Sequence, residues 1–272
     1  MQTLDAKNAQ IPILGLGTWE LRGRECARVV EQAVRLGYRH FDTAQLYGNE
    51  RDVGDGIRAS GISRSDVFVV TKVAPDNLAP GLLIRSVKES VGKLRLGEID
   101  LLLLHWPNKG IPLADTIAAL VGAKREGLVR NIGVSNYTVA LIEEACRLAE
   151  DRLVCNQFEY HPYLDQSKVL AACRAQGMAA VAYSPIARGS AKSDSVLARI
   201  GKPYGKTAAQ VSLRWVIQQG VGAIPRTSRV ERLAENIDVF DFSLTEEEMT
   251  EIAGLAHPGG RIVDWAWSPK WD

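Results

Sequence analysis

The sequence predicts an α/β fold, a closed (β/α)8 barrel of parallel strands, on three observations. Short apolar runs alternate with stretches of helical spacing through most of the chain. Eight such runs occur, and their cores are nearly all apolar, as expected of strands covered on both faces. Polar residues then follow the runs: Asp42, Lys72, His105, Ser135-Asn136, Gln157, Tyr183 and Arg226. In a closed barrel of this kind the C-terminal ends of the strands form one face, and the active site lies there.

The elements follow in order. Ile11 to Gly17 reads as the first strand, with a hairpin before it. Arg24–Leu36 has helical spacing and stops at Gly37, and Arg39–Asp42 is the second strand. A helix over Asn49–Ala59 ends near Gly61, strand Val67–Lys72 follows, and Pro80–Leu94 is helical with proline at its start. Strand Ile99–His105 comes after a break at Gly97, and helix Leu113–Glu126 is closed by Gly127. Strand Val129–Val134, helix Val139–Ala149, strand Leu153–Gln157 and helix Gln166–Gln176 continue the alternation. Strand Ala179–Tyr183, helix Ala208–Gln219, strand Val221–Pro225 and a helix opening at Val230–Asn236 complete the eight units. Short connections and right-handed crossovers favour parallel pairing. An open doubly wound sheet is the competing arrangement, but eight strands in it need more covering helices at the edges. The tail His257–Asp272, rich in Gly, Pro and Trp, reads as a loop.

Composition narrows the function classes. The 272 residues suit one barrel domain over 1–272, since such barrels run to about 250 residues. Net charge is +1, which gives no electrostatic case for nucleic acid or a membrane surface. Cys26, Cys146, Cys155 and Cys173 are scattered, with no zinc spacing, and read as reduced thiols. Met1-Gln-Thr-Leu-Asp5 lacks an export pattern. The expectation is a cytoplasmic monomer.

The chemistry lies in Asp42, Tyr47, Lys72 and His105, which follow three consecutive strands. A phenol is a poor acid at neutral pH, with a pKa of about 10. An ammonium from Lys72 would lower that value, and Asp42 would hold the lysine in place. His105 would hydrogen-bond a substrate oxygen, leaving Tyr47 as general acid for a carbonyl becoming an alkoxide. No side chain gives hydride, so a nicotinamide is implied. Singly, each residue has an ordinary structural role: a solvated lysine, a packing tyrosine, a capping aspartate, a core histidine. Gathered at adjacent strand ends, the four read as a site.

These four positions resemble the catalytic tetrad of the aldo-keto reductase family. The resemblance extends through Gly15-Leu-Gly17-Thr18-Trp19, Gly133-Val-Ser135-Asn136, Asn156-Gln157, Tyr183-Ser184-Pro185 and Ile224-Pro225-Arg226 to Glu235-Asn236. The ending, Arg261-Ile-Val263 to Trp271-Asp272, is similar to the bacterial branch of 2,5-diketo-gluconate and methylglyoxal reductases. The resemblance implies a nicotinamide across the barrel mouth, with Tyr183 stacked on its ring and Ser135, Asn136 and Gln157 on its carboxamide. It further implies cofactor contacts at Gly17, Thr18, Trp19, Asp42, Ser184, Pro185, Ile186, Ala187 and Ile224.

Gly15-x-Gly17 lacks the third glycine of a dinucleotide fingerprint and reads as close packing beneath the cofactor. The phosphate signal is Pro225-Arg226-Thr227-Ser228 leading into Arg232, where a hydroxyl-rich turn opens a helix. By resemblance it takes the adenosine 2′-phosphate, with Glu235 and Asn236 near the adenine, so NADPH (NADP+ when oxidised) is the expected cofactor. Arg226-Thr227 replaces the more usual Lys-Ser, which leaves the degree of preference open. Trp19, Tyr47, His105, Trp106, Trp265 and Trp267 are the expected substrate walls, and the tail is expected over the barrel mouth. Val73-Ala74 stands where several relatives carry an aromatic. Arg188 and Lys192 could meet cofactor phosphate or an acidic substrate, and Trp271 reads as an anchor. The leading expectation is reduction of aldehydes and ketones, with 2,5-diketo-gluconate, methylglyoxal and aromatic aldehydes as candidate substrates. Two alternatives stay open. One is a metal-dependent barrel hydrolase using His40, Asp42, His105 and His161, although no H-x-H pair occurs and no metal is expected. The other is a cofactor-binding sensor without turnover.

Overall fold

The computed structural model describes residues 2–150 and 152–272. An antiparallel hairpin, β1 (Thr3–Ala6) and β2 (Ala9–Pro12), comes first. Strand β3 (Leu16–Gly17), helix α1 (Gly23–Arg35) and strand β4 (His40–Asp42) follow. Then come α2 (Glu50–Ala59), β5 (Phe68–Val73), α3 (Pro80–Leu94), β6 (Ile99–Leu104), α4 (Leu113–Arg125) and β7 (Val129–Ser135). The second half runs α5 (Val139–Leu148), β8 (Leu153–Glu159), α6 (Ser167–Ala175), β9 (Ala179–Tyr183), α7 (Ser195–Gly201), α8 (Ala208–Gln218), β10 (Gly222–Ile224), α9 (Val230–Ile237) and α10 (Glu246–Ala253).

Strands β3 to β10 lie in chain order, each parallel to the next. The first and last meet through parallel bridges Leu14–Ala223 and Gly17–Arg226. Three backbone hydrogen bonds make that seam: Gly15 N–H to Ala223 O (2.9 Å), Ala223 N–H to Ile13 O (2.8 Å) and Gly17 N–H to Pro225 O (3.1 Å). The sheet is thereby a barrel, as the sequence predicts.

Two apolar regions result. The larger lies between strands and helices, because each helix turns one apolar stripe inward. The smaller fills the barrel, where Val70, Leu101, Leu103, Cys155, Val181 and Ile224 pack with hairpin residues Ala6, Ala9 and Ile11. The hairpin therefore plugs the N-terminal end of the barrel. Strand side chains alternate, so Lys72 follows Val70 on the inner face, as Gln157 follows Cys155 and Tyr183 follows Val181. Apolar layers thus form the floor on which polar residues of the top layer stand.

The structure departs most from the sequence reading at one strand, while the ends of most others move by one or two residues. The run from Ile11 to Gly17 is split: Ile11-Pro12 completes the hairpin, and only Leu16-Gly17 belongs to the barrel. Pro12 pairs with Thr3 at the hairpin's end, where it has no N–H to donate onward. Two helices, α7 and α10, lie in segments without a clear apolar period. Their starts are nevertheless capped, by Asp194 accepting from Val196 and Leu197 N–H, and by a Thr245/Glu248 capping box.

Gly133 shows how tightly the barrel interior closes. A β-carbon there would stand 2.6 Å from the Cys155 carbonyl oxygen and 2.8 Å from Leu103 Cδ2. Gly133→Ala should therefore lower stability by about 1–3 kcal/mol through overpacking, read as a lower urea midpoint at unchanged slope. An unshifted midpoint would mean that β7 can move away from β8 without cost.

Candidate active site

The C-terminal ends of the strands surround a cleft of about 780 Å³. Lys72, near the end of β5, and Asp42, at the end of β4, meet beneath it with Nζ 2.5 Å from Oδ1, both side chains almost wholly buried. The ammonium also donates to the Thr43 carbonyl (3.0 Å) and reaches the Tyr47 hydroxyl at 3.5 Å. The other Asp42 oxygen accepts from Gln157 Nε2 at 2.8 Å, across the barrel from β8. His105, just past β6, stands edge-on to the Tyr47 ring with centroids 5.6 Å apart. The four residues singled out from the sequence thus converge.

Tyr47 closes a short 3₁₀ turn, Gln45–Tyr47, that Gly48 ends in a left-handed conformation. Two side chains that the sequence reading did not single out pin this turn. Gln45 Nε2 donates to Ser86 and Ser90 Oγ, while its carbonyl oxygen accepts from Ala74 N–H (2.9 Å) and Asn77 Nδ2 (3.0 Å). Asn49, fully buried, accepts from Thr43 Oγ1 (2.6 Å) and donates to the Thr18 and Leu21 carbonyls (2.8 Å each).

Around these groups lies a second polar layer. Tyr183 donates its hydroxyl to Asn136 Oδ1 (2.8 Å), and Asn136 Nδ2 donates to the His105 carbonyl (3.0 Å) and Ser135 Oγ (3.1 Å). Ser135 is wholly buried, and its hydroxyl donates to the Gln157 carbonyl (2.8 Å). Asn136 (φ 63°), Ser184 (φ 51°), Ala187 (φ 47°) and Arg188 (φ 50°) hold left-handed backbone, a strained arrangement concentrated at the barrel mouth.

The cleft wall holds most of the predicted residues: Gly17, Thr18, Trp19, Asp42, Tyr47, His105, Trp106, Asn136, Gln157, Tyr183, Ser184, Pro185, Ile186, Ile224, Arg226, Thr227, Ser228, Arg232, Trp265 and Trp267. Arg188 and Lys192 line it as well. Lys72, Ser135, Ala187, Pro225 and Asn236 are buried and do not line the cleft, and neither does the half-buried Glu235. Leu46, Arg229 and Val263 are lining residues that sequence reasoning missed. Arg226 Nε donates to the Trp19 carbonyl (3.0 Å), joining the two ends of the barrel seam, and Arg232 pairs with Glu235 at 2.5 Å. Helix α9 starts after Arg229 with no side-chain cap, so Ser228 does not cap it. His40 and His161 lie elsewhere: His40 Nδ1 faces the Pro12 carbonyl (2.9 Å) and His161 Nε2 faces Glu159 (2.9 Å). Among the described residues no group of three or more His, Cys, Asp or Glu could hold a metal ion.

Burial governs the titration of the site. It raises Tyr47 well above its ordinary value, and the Asp42 carboxylate adds to the effect. The expected lowering by Lys72 is therefore reversed in the protein alone, because burial outweighs it. The phenol stays protonated and able to donate. Lys72 is lowered by burial against the opposing pull of Asp42. His105 is pushed well below 6.5, by burial first and the Lys72 charge second.

Fold and site together define a barrel enzyme that works at the C-terminal ends of its strands. The chain belongs to the Aldo/keto reductase family, whose profile matches residues 13–257. It is 39% identical over 265 residues to methylglyoxal reductase DkgB of Salmonella typhi, covering 96% of this chain and 99% of that one. It is 38% identical to glyoxal reductase of Bacillus subtilis (strain 168), covering 90% and 89%. A crystal structure of a putative 2,5-diketo-D-gluconic acid reductase B superposes with a TM-score of 0.98 at 48% identity, over 100% of this chain and 98% of that one. The protein is accordingly an oxidoreductase of the carbonyl-reducing kind, in a family that typically uses NAD(P)H and acts on small carbonyl compounds. No helix among the described residues is long and apolar enough to cross a membrane.

His105 and His40 are both lowered, so the unfolded chain binds more protons than the fold from about pH 6.5 down to the folded-state values. Stability rises with pH across that window and is lost as pH falls through it. The urea midpoint should drop on acidification below pH 6.5, and the His105 ring resonance should show no midpoint near the ordinary 6.5. A midpoint near 6.5 for that resonance would place the ring in water.

Proposed function

We propose that the protein is an NADPH-dependent reductase of aldehydes and ketones in which Tyr47 is the general acid. The observation that carries this reading is the Lys72 ammonium, held between the Asp42 carboxylate and the Tyr47 hydroxyl under the cleft. The donor set fits a dinucleotide. Asn136 and Gln157 offer amides, Tyr183 offers an aromatic face, and Arg188, Lys192, Arg226, Arg229 and Arg232 line the same cleft. The uncapped start of α9 adds free N–H groups for a phosphate. Arg226, Arg232 and Ser228 would hold the adenosine 2′-phosphate, with Glu235 and Asn236 on the adenine side. Arginine suits bidentate contact with phosphate.

Tyr183, Asn136 and Gln157 would hold a nicotinamide, and that group would supply the hydride that the carbonyl carbon takes up. Tyr47 donates its proton to the carbonyl oxygen as that oxygen gains charge. Lys72 then stabilises the phenolate left behind, and Asp42 and Gln157 keep the lysine aimed. Neutral His105 has one N–H to offer the same oxygen, and it orients the carbonyl without adding a charge. Asn136 and Gln157 would fix which face of the cofactor ring is presented. Trp19, Trp106, Trp265, Trp267, Leu46 and Val263 give the substrate an apolar surround. Methylglyoxal and aromatic aldehydes are the first substrates to assay, and the names of the relatives add 2,5-diketo-gluconate.

Tyr47→Phe should lower kcat by roughly 10²- to 10⁴-fold, the usual worth of a positioned acid, while NADPH still binds by fluorescence titration. Near-normal kcat in that variant would end the acid assignment. Arg232→Ala should raise KM for NADPH by about tenfold or more and leave KM for NADH within about twofold. Parallel rises for both cofactors would place the 2′-phosphate elsewhere.

A further inference from the structure

Glu159 has no part in the chemistry just described, yet it is completely buried at the barrel rim. It ends β8, two residues past Gln157, and so faces the same side of the sheet. Its carboxylate accepts three hydrogen bonds. Oε1 accepts from Ile262 N–H at 2.7 Å and from His161 Nε2 at 2.9 Å, and Oε2 accepts from Val263 N–H at 2.8 Å. The donor on His161 is assigned by its other nitrogen. Nδ1 accepts from Tyr163 N–H (3.3 Å), so the ring proton sits on Nε2 and points at the carboxylate.

The two amides belong to the C-terminal tail, and that tail forms one wall of the cleft through Val263, Trp265 and Trp267. A second contact steadies the tail from the same connection. Gly260 lies so close to the Tyr163 carbonyl that a β-carbon would stand 1.7 Å from its oxygen, and His257 N–H donates to that oxygen at 3.2 Å. Tyr163 in turn donates its hydroxyl to Asp194 (2.9 Å), which caps α7. Beyond Val263, Trp265 and Trp267 stack with centroids 5.4 Å apart and remain about half exposed. Trp267 meets the barrel rim edge-on at Trp106, with centroids 6.1 Å apart, and the clamped backbone at 262–263 carries the pair toward it.

We propose that Glu159 is a positioning residue for substrate selection: it clamps residues 262–263 and thereby sets the aromatic wall that large carbonyl compounds contact. The proposal rests on the carbonyl-reductase reading above. It involves neither the proton-transfer groups nor the cofactor-lining residues. A buried carboxylate suits the task, because it alone accepts from two successive N–H groups and an imidazole without bringing a proton of its own. Glu159→Gln keeps the shape but turns an N–H₂ toward one of these donors.

Hydrogen exchange and kinetics test this together. In Glu159→Gln, and separately in Ile262→Pro, which removes one of the clamped amides while leaving Glu159 and the cleft-lining residues intact, KM for 4-nitrobenzaldehyde should rise by about tenfold or more. In both variants KM for methylglyoxal should change less than about twofold, with kcat for methylglyoxal and the Kd for NADPH also held within that range. The Ile262 amide should exchange faster in Glu159→Gln, and the Val263 amide should exchange faster in both variants. Equal changes for the large and the small substrate would overturn the proposal, as would unaltered exchange of Ile262 in Glu159→Gln. If the unaltered protein reduces neither aldehyde, the function reading fails, and the exchange measurement still decides whether Glu159 clamps the tail.

Discussion

The site depends on a lysine kept inside a barrel. Removing an ammonium from water is expensive, and it is tolerated only where opposite charge and hydrogen-bond acceptors replace the lost solvent. Lys72 has the Asp42 carboxylate at 2.5 Å, the Thr43 carbonyl at 3.0 Å and the Tyr47 hydroxyl at 3.5 Å. Asp42 is held from its other side by Gln157. Each partner comes from a different turn or strand, so the ion pair fixes the relation of β4, β5, β8 and the Tyr47 turn at once. Breaking such a pair from one side leaves an uncompensated charge, and that cost enforces the arrangement.

The same low-polarity surroundings settle the protonation of the neighbours. Tyr47 and His105 are both held neutral by burial, and Lys72 pushes His105 further in that direction. A neutral phenol and a neutral imidazole can each donate to an oxygen that is gaining negative charge. The site is therefore set to respond to charge on its guest rather than to carry charge of its own, apart from the internal ion pair. The positive charge of the cleft wall comes instead from Arg188, Lys192, Arg226, Arg229 and Arg232, of which Arg188 lies over the Trp19 ring at 4.6 Å.

Much of this was legible from residue order. Helix α3 has the limits that Pro80 and Leu94 suggest, because proline marks a first turn and the apolar period is unbroken. Strand β9 likewise keeps its predicted span, and the polar residue after each run marks the barrel face. The hairpin boundary was not legible, since Ile11 to Gly17 is one apolar run that serves two sheets. Helix α10 left a signal, Thr245 followed three residues later by Glu248, that a search on apolar period passes over. At the site, the ionisable residues were visible and their supports were not. Gln45, Asn49 and Glu159 reach partners as far as 45, 31 and 104 positions away, and no local pattern records such pairings. The direction of the Tyr47 shift was misjudged for the same reason: depth of burial is a property of the assembled barrel.

The hairpin that plugs the N-terminal end has a consequence for access. With Ala6, Ala9 and Ile11 packed into the floor, molecules can come and go only through the opposite opening. A barrel stoppered below is reached from one side, so whatever enters the cleft and whatever leaves it share a single doorway.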